Sequence, residues 1–399
     1  MSGDGETRDE FGVRVRAWFD ANAPRKGSPD DFSAAHIVNG RTAEEYNERE
    51  HQAVERTRAW QRKLLAVGLA NPSWPVECGG HGAPRWQDEM IAAIQGSYGV
   101  SNKMFAVGLE MLPAVLFEHA TSEQCERFLP LALRGDEIWC QLLSEPGAGS
   151  DLGSVRTVAV PVDGGWCVTG QKVWTSGAGA SDQALLIARS EQGSEGRAGL
   201  SCFALDMSDP GVTVRPLRQM SGGFHFNETF LDEVFVPSDA LIGHLGDGWS
   251  VLRTMLRSER AAIGGGTSGR SAVQLVALVG RRGLAGDPRV RQLVAKVVSR
   301  ERVLDMLVAR VARGEVPGGG PVTKLAYSDH ARLTADAVTN LLGAPGMIFD
   351  DLEAEPWIDR LLFAPGLRIG GGTDEIMRNT IGEQGLGLPR EPRPDPGAR

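Results

Sequence analysis

The spacing of apolar positions changes twice along the chain. From the N-terminus to about residue 139, apolar residues recur every three or four positions, which places them on one face of an α-helix. This spacing predicts helices over Phe11–Asn22, Thr42–Val67 and Gln87–Tyr98. The run WPVECGG (74–80) interrupts the pattern, and its Pro and paired Gly predict a loop. Between residues 140 and 244 the apolar runs are short, rich in β-formers and punctuated by Gly, Asp and Pro. They predict strands over Val155–Val160, Trp166–Gly170, Gln183–Arg189, Leu200–Asp206, Val212–Arg215 and Thr229–Val236. The helical period then returns in longer segments: Trp249–Ile263, Ser268–Arg282, Arg289–Arg313 and Thr323–Leu342, with Gly314–Pro321 as a connecting loop. The order predicts an α+β fold: an N-terminal helical domain (1–139), a central antiparallel β-barrel or sandwich domain (140–244) and a C-terminal helical bundle (245–399).

Composition narrows the function classes. A chain of 399 residues, 41% hydrophobic and 23% charged, can bury a large core. A formal net charge of −9 argues against nucleic acid or an anionic membrane as the main partner. It does not exclude a polyanionic small ligand, which needs only a local basic patch. The N-terminus has no apolar signal core and no run reaches membrane-spanning length, so a cytoplasmic protein without a membrane partner is expected. Five scattered cysteines without CxxC spacing read as reduced thiols, and seven histidines form no HExxH or HxH grouping, so no metal site is expected.

Several runs invite a chemical reading. GGGTSG (264–269) fits GxGxxG by letter, but that fingerprint needs a preceding strand, and here a helical segment precedes it. SEPGAGSD (144–151) combines small residues, hydroxyls and carboxylates just before the first strand. Such a loop either exposes backbone N–H groups to a large ligand or simply joins two domains. In GQKVWTSGA (170–178), Trp174 stands two residues before Ser176 at a strand end, where an aromatic plane and a hydroxyl can flank a heterocycle or merely pack. Glu259 continues the apolar stripe Leu252, Met255, Leu256 and Ile263, with only Met255, Leu256, Ala262 and Ile263 at helical neighbour positions. A carboxylate on that face either pairs with an Arg from another element or faces a ligand as a general base with a raised pKa.

SEPGAGSD, GQKVWTSGA and a third run, GGTDEIMR (371–378), resemble the acyl-CoA dehydrogenase family in order and spacing. The resemblance extends from WQRK (60–63) and the WPVECGG loop to GLGLP (385–389). LRQMSGG (217–223) and GDGW (246–249) resemble an actinobacterial branch with many sterol-degrading members. The resemblance implies FAD at the junction of three domains and a subunit interface, an acyl-CoA substrate, and electron-transfer flavoprotein as oxidant. By motif position, Gln141, Ser144, Gly149 and Ser150 would contact FAD, with Ser144 on the flavin ring and Ser150 on the pyrophosphate. Trp174 would flank the isoalloxazine, Ser176 would reach its N5 edge, and Thr373 and Glu375 would lie near the ADP portion. Ser150, Arg260, Gly370 and Gly371 would fall on the substrate side.

Departures from the family pattern refine this expectation. Many relatives carry the catalytic Glu just before the Gly-Thr of the last motif, where this chain has Gly371 preceded by Gly370. A second arrangement places it in the helix after GDGW, directly before an Arg, and this chain has Glu259-Arg260 there. The helical stripe and the resemblance thus converge on Glu259 as the base. The two glycines would leave room for a branched or polycyclic acyl group. The Arg and Phe that relatives send to the partner's FAD are replaced by Val279 and Arg282, and their Gln-x-x-Gly-Gly motif is degraded to NLLGA (340–344). Arg281 and Asn340 are the remaining candidates for that contact, in a homo-oligomer (dimer of dimers) or a heterotetramer. Two alternatives are a flavin monooxygenase or oxidase of the same fold, against which Glu259 argues, and a subunit of a heterotetrameric dehydrogenase whose partner completes the sites.

Overall fold

The computed structural model describes residues 6–33, 42–191, 193–265, 271–348 and 355–390. Its residues gather into two compact units, Met1–Met255 and Leu256–Arg399. The first unit opens with α1 (Arg8–Asn22), α2 (Ala43–Ala66), α3 (Trp86–Gln95), α4 (Leu112–His119) and α5 (Ser122–Arg134). Thr7 begins α1 with a capping box to Glu10, and Phe11, Val15 and Phe19 form the buried stripe four residues apart. In α2 the stripe runs Tyr46, Glu50, Ala53, Val54, Thr57, Trp60, Gln61 and Leu64, and the Trp60 ring lies 5.6 Å from that of Phe19. The WPVECGG loop contains one 3-10 turn, Val76–Cys78.

The strands are β1 (Trp139–Leu142), β2 (Val158–Val162), β3 (Gly165–Ser176), β4 (Gln183–Arg189), β5 (Leu200–Asp206), β6 (Val212–Leu217), β7 (Phe226–Pro237) and β8 (Leu241–Ile242). They form an 8-stranded sheet in the order β6-β7-β3-β2-β4-β5-β8, with β1 pairing β4. Most pairings are antiparallel, but β1 and β2 each meet β4 in parallel. The run Ala184–Ala188 is buried at every position. An unbroken apolar run identifies a strand covered on both faces but cannot tell parallel from antiparallel neighbours.

β3 is longer than the expected Trp166–Gly170. Gly170 reads as a terminator by composition, yet a Cβ there would lie 2.3 Å from Thr157 Oγ1. The glycine permits close approach to the neighbouring segment, and the strand runs on through the GQKVWTSGA motif.

The second unit contains α7 (Ser271–Arg281), α8 (Pro288–Ala312), α9 (Gly319–Leu342), α10 (Glu355–Leu367) and α11 (Asp374–Thr380). The preceding helix, α6 (Gly248–Gly265), carries the division between the units. Because α6 precedes the GxGxxG letters, no strand enters that run; Gly266–Gly269 themselves lie outside the described residues. The core joins Leu275, Leu278 and Val279 of α7 to Val297, Ala337, Val338, Leu341, Trp357 and Ile358. The loop expected over Gly314–Pro321 ends early. Gly318 takes a left-handed φ of 64° as the cap of α9, and Pro321 sits in its first turn, where its missing N–H costs nothing. Among the described residues no helix is long and apolar enough to cross a membrane.

Candidate active site

In the first unit, SEPGAGSD leaves the end of β1 and folds back on itself through paired backbone bonds between Glu145 and Ala148 (2.9 and 3.0 Å). The Val173 N–H donates to the Ser144 carbonyl at 2.8 Å, so this turn lies directly against GQKVWTSGA. Sequence treated the two runs as separate features, and the fold makes them neighbours. Gln141 at the end of β1 donates its side-chain amide to the Met111 sulfur. Ser144 is half-buried, whereas Gly149, Ser150 and Ser176 are exposed. A Cβ on Gly147, Gly149 or Gly177 would meet nothing within 4 Å.

Trp174 is the most unusual residue of this region. Its φ is 64°, a left-handed conformation rare for a bulky side chain, and the residue is 59% exposed. The pairing of β3 with β7 slips between Lys172 and Thr175, so Trp174 occupies a bulge. Lys172 and Thr175 on either side are buried, and the Phe226 ring meets the indole edge-on at 6.0 Å. An outward indole two residues before exposed Ser176, on the strand that packs against the Ser144 turn, leaves an aromatic edge and polar groups open to a ligand.

Sequence reading missed the pair beneath this surface. Lys172 and Glu145, one from each motif, form a buried ion pair at 3.0 Å. Burial pushes the Lys172 ammonium down to about 8, against the pull of Glu145. For Glu145, burial acts to raise the pKa, but Lys172 and the hydrogen bonds of Thr157 and Arg156 outweigh it and hold the carboxyl low. Strand alternation carried the signal: Lys172 lies four residues from buried Val168 on one face of β3.

In the second unit, Glu259 is half-buried near the end of α6. Leu252 and Met255 of its stripe are fully buried, as the spacing predicts; the side chains of Ala262 and Ile263 lie outside the described residues. Burial raises the Glu259 pKa above its ordinary 4.5, with Arg260 and Lys324 opposing. Among the described residues no hydrogen bond or ion pair to the Glu259 side chain forms.

Lys324 is itself fully buried and bonds to Asp374 at 3.1 Å; Ser328 (2.7 Å) and Arg368 (2.7 Å) complete the set around that carboxylate. Sequence reading did not single out Asp374, the middle of GGTDE. Thr373 beside it caps α11 by accepting from the Ile376 N–H at 3.2 Å, while Glu375 is exposed and faces Arg378 at 3.8 Å. Gly370 is exposed, and Gly371 and Gly372 have φ values of 67° and 92°, so the backbone here is left-handed where many relatives carry their base. Arg281 and Asn340 are exposed, the latter donating to the Asp336 carbonyl at 2.8 Å, and Val279 packs in the core.

The N-terminal, middle and C-terminal domain families of acyl-CoA dehydrogenase match residues 30–136, 140–234 and 246–386. The acyl-CoA dehydrogenase IpdE1 of Mycobacterium tuberculosis is 36% identical over 392 residues, covering 96% of this chain and 98% of the relative. Its counterpart in Mycolicibacterium smegmatis is 35% identical with the same coverage. Among solved structures, the Tcur3481–Tcur3483 steroid ACAD is 26% identical with a TM-score of 0.78, over 96% of this chain and 98% of the other. The ChsE4–ChsE5 complex of Mycobacterium tuberculosis, at 22% identity and a TM-score of 0.77 over 98% of this chain and 100% of the other, shares the fold. The chain therefore belongs to the acyl-CoA dehydrogenase family, FAD-dependent oxidoreductases that act on CH–CH bonds.

Proposed function

We propose that this protein dehydrogenates an acyl-CoA thioester between its α and β carbons, with Glu259 as the base. The observation that carries the proposal is Glu259 itself, a half-buried carboxylate with a raised pKa directly before Arg260, in a chain that has only Gly370 and Gly371 just before the Gly-Thr of its last motif. The Glu259 carboxylate takes the α proton while the β carbon loses its hydrogen with the bonding electron pair, leaving the enoyl thioester. FAD, when bound, supplies the acceptor for that hydride. Burial raises the proton affinity of the Glu259 carboxylate, which favours its role as a base, while Arg260 and Lys324 act in the opposite direction and favour the ionised form.

Gln141, Ser144, Gly149, Ser150, Trp174 and Ser176 are proposed to hold the cofactor, with Thr373, Glu375, Arg281 and Asn340 as further contacts. Arg260, Ser150, Gly370 and Gly371 are proposed to face the acyl-CoA. Bare glycines at 370 and 371 favour a branched or polycyclic acyl group, a reading supported by a structural relative described as a steroid ACAD. Electron-transfer flavoprotein is the proposed oxidant. The named pairs among the structural relatives also favour a second dehydrogenase-like chain as partner over a homotetramer.

The test is anaerobic titration of the FAD-loaded protein with a panel of acyl-CoAs, for wild type and Glu259→Gln. Bleaching of the wild-type flavin by a thioester, absent in the folded and loaded variant, is expected. A fully loaded wild-type flavin that no thioester bleaches would refute the reaction. Equal bleaching by the variant would refute the base.

A further inference from the structure

Lys172 sits in the middle of β3 with none of its side chain exposed, a costly place for an ammonium unless a counter-charge is built in. Glu145 supplies it at 3.0 Å, and Lys172 Nζ also donates to the Leu143 carbonyl at 3.0 Å. The Glu145 carboxylate also accepts from backbone N–H groups: Thr157 (2.8 Å) on Oε1, the oxygen that Lys172 meets, and Arg156 (2.6 Å) on Oε2. Three stretches of chain therefore meet at one ion pair: the turn after β1, the approach to β2, and β3.

Trp174 follows two residues after Lys172, in the left-handed bulge. A bulky residue stays in that conformation only when both flanks are fixed. On one side the flank is Lys172 with the Val173 N–H bond to Ser144; on the other it is buried Thr175, whose carbonyl accepts from the Asn227 amide at 3.2 Å.

We propose that the buried Lys172–Glu145 pair is the positioning device of the flavin site: it holds the Leu143–Ala148 turn against β3 and keeps Trp174 turned outward to receive the cofactor ring. This rests on the flavin reading above. Neither residue touches the cofactor; they act through Trp174 and the turn.

The experiment measures FAD binding to apoprotein by quenching of flavin fluorescence, with the visible circular dichroism of the bound flavin as a second readout. Wild type, Lys172→Met, Glu145→Gln, Trp174→Ala and Lys172→Met/Trp174→Ala are compared after far-ultraviolet circular dichroism shows each is folded. The expected result is at least a tenfold rise in the FAD Kd for Lys172→Met and Glu145→Gln, with an altered flavin signal. The loss in the double variant should be smaller than the product of the two single losses, because Lys172 acts through Trp174. If a single charge variant does not fold, Lys172→Met/Glu145→Leu leaves no charge buried and carries the same expected rise in Kd. Unchanged Kd and unchanged flavin signal in folded charge variants would overturn the proposal while leaving the flavin reading intact, and strictly multiplicative losses would overturn the route through Trp174. Wild type that binds no FAD would overturn both readings.

Discussion

Neutralising Asp374 should markedly destabilise the second unit. Asp374 is fully buried and faces two cations, but the two differ. Arg368 is half-exposed and can turn its guanidinium into water once its partner is lost. Lys324 is fully buried and cannot. Ser328 gives up its bond to Asp374 but keeps one to the Leu325 carbonyl at 3.1 Å, so its share of the cost is small. The loss is therefore dominated by one ammonium stranded inside the unit, on the order of 3–5 kcal/mol. At about 2–4 °C per kcal/mol for a unit of this size, that corresponds to a fall in Tm of about 6–20 °C.

Asp374→Asn is the right perturbation because it keeps the shape while removing the charge and turning an amide N–H toward a cation. Urea unfolding followed by circular dichroism reads the effect, and Lys324→Met/Asp374→Leu should recover at least half of it, since no charge is then left buried. The sign against pH follows from the depressed Asp374 pKa. Burial acts to raise it, but Arg368, Ser328 and Lys324 outweigh this, so the contribution is complete at neutral pH. It disappears as pH falls below the ordinary 3.8 through the lower folded value. A loss under about 1 kcal/mol in Asp374→Asn would show that Lys324 is hydrated or re-paired, and the reasoning would fail.

Other outcomes follow from single sites. Because burial raises the Glu259 pKa, kcat/KM should climb with pH through a value above 4.5, and Lys324→Met should move that limb higher; a limb at or below 4.5 in wild type would contradict the base. Glu259→Gln should lower kcat by about 10²–10⁴-fold or more while FAD absorbance is retained, and stopped-flow reduction checks it. Gly248→Ala should cost about 1–3 kcal/mol by thermal melting, because its Cβ would lie 2.6 Å from the Leu200 backbone; an unchanged Tm would show that the segment can move aside. Thioesters of polycyclic acids should bleach the flavin faster than straight short-chain ones, and the reverse order would remove the steric reading of Gly370 and Gly371.

Much of this protein could be read without a structure, for a physical reason. Helix and strand signals are local: the stripe Phe11, Val15 and Phe19 by its period, and the apolar run Ala184–Ala188 by its shortness and its polar flanks, indicate their element without knowledge of a partner. The same locality marked Glu259 as a carboxylate on an apolar face, and the motifs that carry the family resemblance are contiguous runs. The tertiary structure decided what distance in sequence conceals. Gly170 could not be distinguished from a strand terminator until Thr157 lay against it, and parallel pairing of β1 with β4 leaves no trace in alternation. Lys172 and Glu145, 27 residues apart, and Lys324 and Asp374, 50 apart, are charged letters in sequence and become ion pairs only when folding removes water from both partners.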